Sequence, residues 1–180
     1  MPKYAAFLRG VNLGAKRKVS SGQLKELFGE LGFEDVAPFR TSGNVAFAAG
    51  KEPETKLAGK IEKALEKLIG DEVTVFLRSA AEMRKLAEAK PFPPKQLAAS
   101  KGKLQVALLA KKPSAAAKKR VFALATDEDR LAFGARELYW LPSGGTRDSA
   151  LGMKKIDDLL APTTIRTQGT IEQLAAKFFG

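Results

Sequence analysis

The chain has 180 residues, 44% of them hydrophobic and 28% charged, and it contains neither cysteine nor histidine. This composition suits one large or two small globular domains, and it excludes disulfides, thiol chemistry and serine–histidine nucleophile pairs. Because zinc and non-haem iron sites normally need imidazole or thiolate ligands, we expect no metal site. We also expect no cofactor.

The pattern of apolar residues and caps predicts a regular order of elements in the first half. Ser20 and Gln23 form a capping-box motif before one helix, and Ser79 and Glu82 form another before a later one. Pro53 suits the first turn of a helix that Gly70 ends. The predicted order is strand Tyr4–Arg9, helix 20–31, strands Asp35–Thr41 and Asn44–Ala49, helix 53–69, strand Glu72–Arg78 and a helix from Ser79.

A proline-rich segment, residues 91–103, is predicted as a linker, after which the same order recurs. The second set comprises strand 104–110, helix 114–125, strands 129–134 and 137–142, helix 149–160, strand 163–167 and helix 170–178. A trace of sequence supports duplication, because Arg78-Ser79 matches Arg166-Thr167 at a separation of 88 residues. We therefore predict an α+β protein of two tandem ferredoxin-like subdomains (βαββαβ plus an extra helix) at 1–90 and 104–180.

The strands of the first subdomain are apolar on both sides, which predicts sheets buried on both faces. We expect one face to carry Phe7, Val45, Phe47, Val75 and Leu77, and the other Tyr4, Leu8, Phe39, Ala46 and Phe76. The third strand also lacks the aromatic pattern of an RNA-recognition domain, so bases are not expected to stack on the sheet. Trp140 and Tyr139 are expected to pack in a core.

The net charge is +11, which favours anionic partners, although a lysine-rich surface without a partner explains it as well. The split topology places the end of the first strand beside the turn between the second and third strands. Both loops contain glycine, asparagine and arginine, which suit a backbone cradle for an anion. The predicted ligand-binding residues are Arg9, Asn12, Lys18, Ser42 and Asn44. The alternative is that Gly43 and Asn44 only form the turn and that residues 16–18 are solvated cations.

Two further basic clusters are weaker candidates. A glycine-rich segment that leads into a helix gives a secondary cluster of Arg147, Ser149 and Arg166, although Ser149 is also explained as a helix N-cap. The third cluster is interpreted as a solvated surface and comprises Lys111, Lys112, Lys118, Lys119 and Arg120.

At these loops the chain resembles a bacterial family catalogued as domain of unknown function 1697 (DUF1697). The resemblance rests on the segments 4–14, 24–33 and 41–47, with later echoes at 138–149 and 164–170. It implies a two-part α+β fold and carries no assigned activity. One departure concerns the C-terminal Arg-Asn-Trp-Asn-Thr of other members, of which only Arg166 and Thr170 are present here.

Three functional hypotheses follow. The first is a protein that binds a phosphorylated small molecule or nucleic acid, and the second is an enzyme that acts on a phosphorylated substrate with lysine or a carboxylate as base. The third is a protein-interaction module. Because Met1–Tyr4 leads directly into a strand, without the apolar stretch of a signal peptide, we expect a cytoplasmic location and no membrane association. The sequence leaves the catalytic residues and the oligomeric state open.

Overall fold

A computed structural model describes residues 1–12, 18–40, 43–142, 144, 151, 153–160 and 162–180. They form a mixed α+β structure that divides into two compact units. Unit 1 contains Met1–Leu86 and Leu174–Gly180, and unit 2 contains Ala87–Gln173. The domain bounds expected from the sequence differ from this division, since they assigned 174–180 to the second subdomain.

Unit 1 holds a four-stranded antiparallel sheet in the order β2-β3-β1-β4. Its elements are β1 (Lys3–Arg9), α1 (Ser21–Glu30), β2 (Glu34–Phe39), β3 (Asn44–Ala48), α2 (Glu54–Ile69), β4 (Thr74–Ser79) and α3 (Ala80–Glu88).

Unit 2 repeats the arrangement with the order β6-β7-β5-β8, again antiparallel. Within the predicted linker lies a short helix, α4 (Pro94–Ala99). The remaining elements are β5 (Gln105–Leu109), α5 (Ala115–Phe122), β6 (Arg130–Phe133), β7 (Glu137–Leu141), α6 (Met153–Leu160), β8 (Thr163–Thr167) and α7 (Gln168–Phe178).

The helix caps and the helix stop predicted from the sequence are present in the structure. The Ser20 hydroxyl accepts a hydrogen bond from the Gln23 amide at 3.1 Å, and the Gln23 side chain accepts one from the Ser20 amide at 2.9 Å. Ser79 and Glu82 exchange the same pair of bonds before α3. Gly70 ends α2 in the left-handed conformation with φ +80°.

The sheet of unit 1 is buried on both faces, as expected, but some residues were assigned to the wrong face. Tyr4 pairs with Phe47 and Leu8 with Val75, whereas Phe7 pairs with Phe76. Directly opposed residues share a face, so Tyr4 and Leu8 belong with Phe47 and Phe7 with Phe76. The first of these faces forms the core beneath α1 and α2, which contribute six buried side chains: Leu24, Leu27, Phe28, Leu57, Ile61 and Leu65.

The core of unit 2 is built around Trp140, which is 1% exposed. Its indole N–H donates to the buried Asp129 carboxylate at 3.0 Å, so both polar groups are satisfied away from water. Tyr139 is also buried, and the expected core packing of this pair is confirmed.

The two units share local details as well as strand order. Arg78 donates from Nη1 to the Leu77 carbonyl at 2.8 Å, and Arg166 donates in the same way to the Ile165 carbonyl at 2.8 Å. Each arginine precedes a hydroxyl residue, Ser79 or Thr167, that caps the following helix. The repetition of these contacts is what duplication of one ancestral unit would produce.

Candidate functional site

The two polar turns of unit 1 lie against each other at one edge of the sheet. Asn44 pairs with Phe7 near the end of β1, and the Leu8 amide donates to the Gly43 carbonyl at 2.8 Å. An added Cβ at Gly43 would lie 2.9 Å from Val11 Cγ2 and 3.1 Å from Leu8 Cβ. The start of the β1–α1 loop therefore contacts the β2–β3 turn directly. We call this region, formed by residues 9–12, 18–19, 40 and 43–44, the hairpin edge.

The backbone of the hairpin edge is unusual because several of its residues have positive φ. Gly10 and Gly43 have φ of 97° and 76°, and two residues with side chains, Asn12 and Arg40, have φ of 56° and 60°. A left-handed conformation costs roughly 1–2 kcal/mol for a residue that has a Cβ, least for asparagine. Such strain often accompanies binding sites, where surrounding contacts hold it in place.

The two asparagines hold the loops together. Asn12 Oδ1 accepts a hydrogen bond from the Val19 amide at 3.0 Å, which ties the beginning of the β1–α1 loop to its end. Asn44 is fully buried, and its Nδ2 donates to the Phe39 carbonyl at 3.1 Å across the hairpin. These contacts make both side chains part of the frame of the site.

The cations of the hairpin edge differ in exposure. Arg9 is half-buried at the end of β1, opposite Thr74, whereas Lys18 is exposed just before the cap of α1. Arg40 is also exposed and was not among the predicted site residues. Ser42 lies outside the described residues. No acidic residue occurs in the sequence from Met1 to Lys25 or from Val36 to Lys51, so the segments that form this edge carry only positive charge.

The secondary cluster is described only at Arg166. Arg147 and Ser149 lie outside the described residues. Arg166 donates to the Thr164 hydroxyl and the Ile165 carbonyl, each at 2.8 Å. Burial lowers the pKa of Arg166 to about 10, because a charged guanidinium is less well solvated there than in water.

The third basic cluster is mainly exposed, as expected: Lys111, Lys112, Lys119 and Arg120 face solvent. Lys118 differs, because it is half-buried and its ammonium lies 5.6 Å from the ring centroid of Phe133.

Unit 2 also contains two crevices that the sequence did not indicate. One of about 650 Å³ has a mixed lining in which Asp127 and Glu128 accompany Lys95, Lys101 and Arg130. The other, of about 420 Å³, lies at the β5–α5 loop between Lys111, Lys112 and the end of α6. A sequence pattern does not mark either crevice, because each depends on the packing of segments distant in the chain.

Within the described ranges, no helix has the length and apolar character needed to cross a bilayer. In the same part of the chain, no three histidine, cysteine or acidic side chains come together as metal ligands would.

The fold and site define a two-unit α+β protein whose positive edge is built from paired loops. The family model for "Protein of unknown function (DUF1697)" matches residues 1–139, and the chain belongs to this family. The match includes the whole hairpin edge, so the resemblance inferred from the sequence is confirmed.

Among solved structures, the chain is similar to the conserved bacterial protein SP0830 from Streptococcus pneumoniae. The two are 20% identical, the superposition covers 98% of each chain, and the TM-score is 0.69. This likeness supports the fold over nearly the whole length. No curated protein matches the sequence.

Proposed function

We propose that this protein binds a phosphate-bearing anion at the hairpin edge. The observation that carries the proposal is the hydrogen bond between the Leu8 amide and the Gly43 carbonyl at 2.8 Å, because it holds the end of β1, from which the basic β1–α1 loop leaves, against the β2–β3 turn. In this proposal Arg9 and Lys18 contact the anion. Asn12 and Asn44 act as positioning residues through their bonds to Val19 and Phe39.

The charge pattern supports an anion over a neutral ligand. Charge-assisted hydrogen bonds from arginine and lysine to phosphate are stronger than neutral ones, about 1.5–3 kcal/mol each. The sequence segments that contain Arg9, Lys18 and the hairpin turn include no acidic residue, so their formal charge is positive. The same lack of carboxylates is unfavourable to the alternative of an enzyme that uses an acidic base at this edge.

Unit 2 supplies a comparison at the equivalent position. There the Leu109 amide donates to the Arg136 carbonyl at 2.9 Å, so Arg136 and Glu137 occupy the places of Gly43 and Asn44. Glu137 is buried, and its carboxylate accepts from the Arg136 amide at 3.2 Å. A carboxylate at this point opposes anion binding, which supports assigning the site to unit 1 alone.

We also propose the finer fold assignment that each unit is ferredoxin-like. The strand orders support it, since they are β2-β3-β1-β4 and β6-β7-β5-β8. In chain order, a helix also follows the first and the third strand of each unit. A cytoplasmic location stays a prediction, and the absence of cysteine is compatible with it.

Isothermal titration with inorganic pyrophosphate tests the anion proposal. Removing two charged contacts in the double variant Arg9→Ala/Lys18→Ala should weaken binding by about 100-fold. The matched control is Lys111→Ala/Lys112→Ala, which removes the same charge from the corresponding loop of unit 2 and should change affinity by less than about threefold. Equal losses in both double variants would refute the proposal, because only net charge would then matter.

A further inference from the structure

A second feature of unit 1 extends the hairpin edge with aromatic side chains. Phe39, the last residue of β2, packs edge-on against Phe178 of α7 with ring centroids 6.1 Å apart. The Arg40 guanidinium carbon lies 5.4 Å from the centroid of the Phe39 ring. The Lys177 ammonium lies 5.8 Å from that centroid and 5.5 Å from the centroid of Phe178. We call Phe39, Arg40, Phe178 and Lys177 the Phe39 cluster.

The Phe39 cluster is continuous with the proposed anion site. Phe39 pairs directly with Asn44, and Arg40 follows Phe39 at the hairpin. Because β2 is an outer strand in the order β2-β3-β1-β4, the cluster lies at an outer edge of the described sheet. The two phenylalanines are half-buried and the two cations are exposed. Aromatic surface and positive charge are thus presented together, beside the loops that carry Arg9 and Lys18.

The outer strand itself is poorly suited to pairing with a strand of another protein. Pro38 lacks an amide hydrogen, and the register shifts between Glu34 and Ala37, where Asp35 has φ +50°. Proline and irregular register are common ways of blocking edge-to-edge pairing. A partner at this edge must therefore use side chains, which favours a ligand recognised by stacking and charge.

Resting on the proposed function, we propose that the anion is single-stranded nucleic acid. In this arrangement a base stacks at the Phe39 cluster, and the neighbouring cations bind the phosphates. Cations beside aromatic rings are the usual means of binding single strands without strict sequence preference. An extended open edge also suits a polymer better than a small phosphorylated molecule, which is normally enclosed in a pocket. A duplex would bind less well because its bases are already stacked on one another.

This site differs from the sheet platform of RNA-recognition domains. Both faces of the sheet of unit 1 are buried, and Phe7 and Phe47 are 0% and 2% exposed. Phe39 is half-buried at the end of an outer strand, next to the turn, with the Arg40 and Lys177 cations over its ring. The stacking surface is therefore one ring at the sheet margin.

The test is fluorescence anisotropy of a labelled oligothymidylate of about 12 nucleotides, within the range of known single-strand sites. Phe39→Leu keeps an apolar side chain but removes the ring, and it should weaken binding about tenfold. Arg40→Ala alters an exposed side chain and leaves the Phe39 ring in place, and it too should weaken binding.

The matched control is Phe133→Leu in unit 2. Phe133 also ends an outer strand, with Lys118 at 5.6 Å and Phe122 packed edge-on at 5.2 Å, but the equivalent hairpin carries Glu137. We expect this variant to bind as the unaltered protein does. Equal affinity of Phe39→Leu, Arg40→Ala and the control, or tighter binding of a duplex of the same length, would overturn the inference.

The design separates this inference from the proposed function. If pyrophosphate binding depends on Arg9 and Lys18 while oligothymidylate binding is indifferent to Phe39, the anion site stands and the nucleic-acid assignment is wrong. If neither ligand responds to Arg9→Ala/Lys18→Ala, both proposals are wrong. A supporting result also requires that raising the salt concentration weakens oligothymidylate binding, because phosphate contacts release counterions.

Discussion

The contact between the two turns of unit 1 predicts a specific cost for Gly43→Ala. Gly43 has φ +76°, so any residue with a Cβ is strained there by about 1–2 kcal/mol. The added methyl group would also lie 2.9 Å from Val11 Cγ2 and 3.3 Å from the Leu8 carbonyl oxygen. Val11 and Leu8 are 7% and 3% exposed, so neither can move away freely. Overpacking of this kind costs a further 1–3 kcal/mol, roughly.

Gly70→Ala is the control that separates the two contributions. Gly70 has nearly the same φ, +80°, but among the described residues beyond its chain neighbours no heavy atom lies within 4 Å of the position a Cβ would take. It also belongs to unit 1, so the same unfolding transition is measured for both variants. We expect Gly70→Ala to lower the free energy of unfolding by about 1–2 kcal/mol, and Gly43→Ala to lower it by about 2–5 kcal/mol.

Urea denaturation followed by circular dichroism measures both values through the shift in midpoint at constant slope. If the two variants lose the same free energy, no close approach exists at Gly43, and the placement of the β1–α1 loop against the hairpin is wrong. The proposed site would then lose its geometric basis.

Three further predictions concern other parts of the chain. Ser20→Ala breaks the capping box of α1 and should lower the free energy of unfolding by about 1 kcal/mol, whereas no change in urea denaturation would contradict it. Gly102→Ala should destabilise unit 2 by more than about 2 kcal/mol in the same assay, because the new Cβ would lie 2.6 Å from the Pro142 carbonyl oxygen. Hydrogen bonding and charge from Lys60 hold the pKa of the Glu52 carboxyl below its ordinary value of 4.5. The stabilisation that this pair adds is therefore complete above pH 4.5, and it is lost as the pH falls through the lower pKa that Glu52 has in the folded protein. Lys60→Met should raise the Glu52 pKa, which an NMR titration measures.

The sequence alone determined the order of the elements apart from α4, and it located the caps and stops of several helices. Caps and stops are local devices, so Ser20 with Gln23, Ser79 with Glu82, and Gly70 could be located without tertiary structure. The family was equally accessible, since its motifs lie in short continuous segments.

The faces of the central strands needed the tertiary structure. Residues 5–8 are all apolar, so no alternation distinguishes the two sides of β1. Only the register, with Phe7 opposite Phe76 and Leu8 opposite Val75, decides which side chain enters which core.

One part of the candidate site could likewise be predicted from the sequence, and the other part could not. Split topology predicted that residues 9–12 and 43–44 share an edge, because the connections of such a unit leave few alternatives. The Phe39 cluster was not foreseen, since it joins residues 39–40 to 177–178, and nothing in the sequence indicates that residues 174–180 belong to the first unit. Contacts between distant segments arise when apolar surfaces are buried together, and that outcome depends on the whole fold.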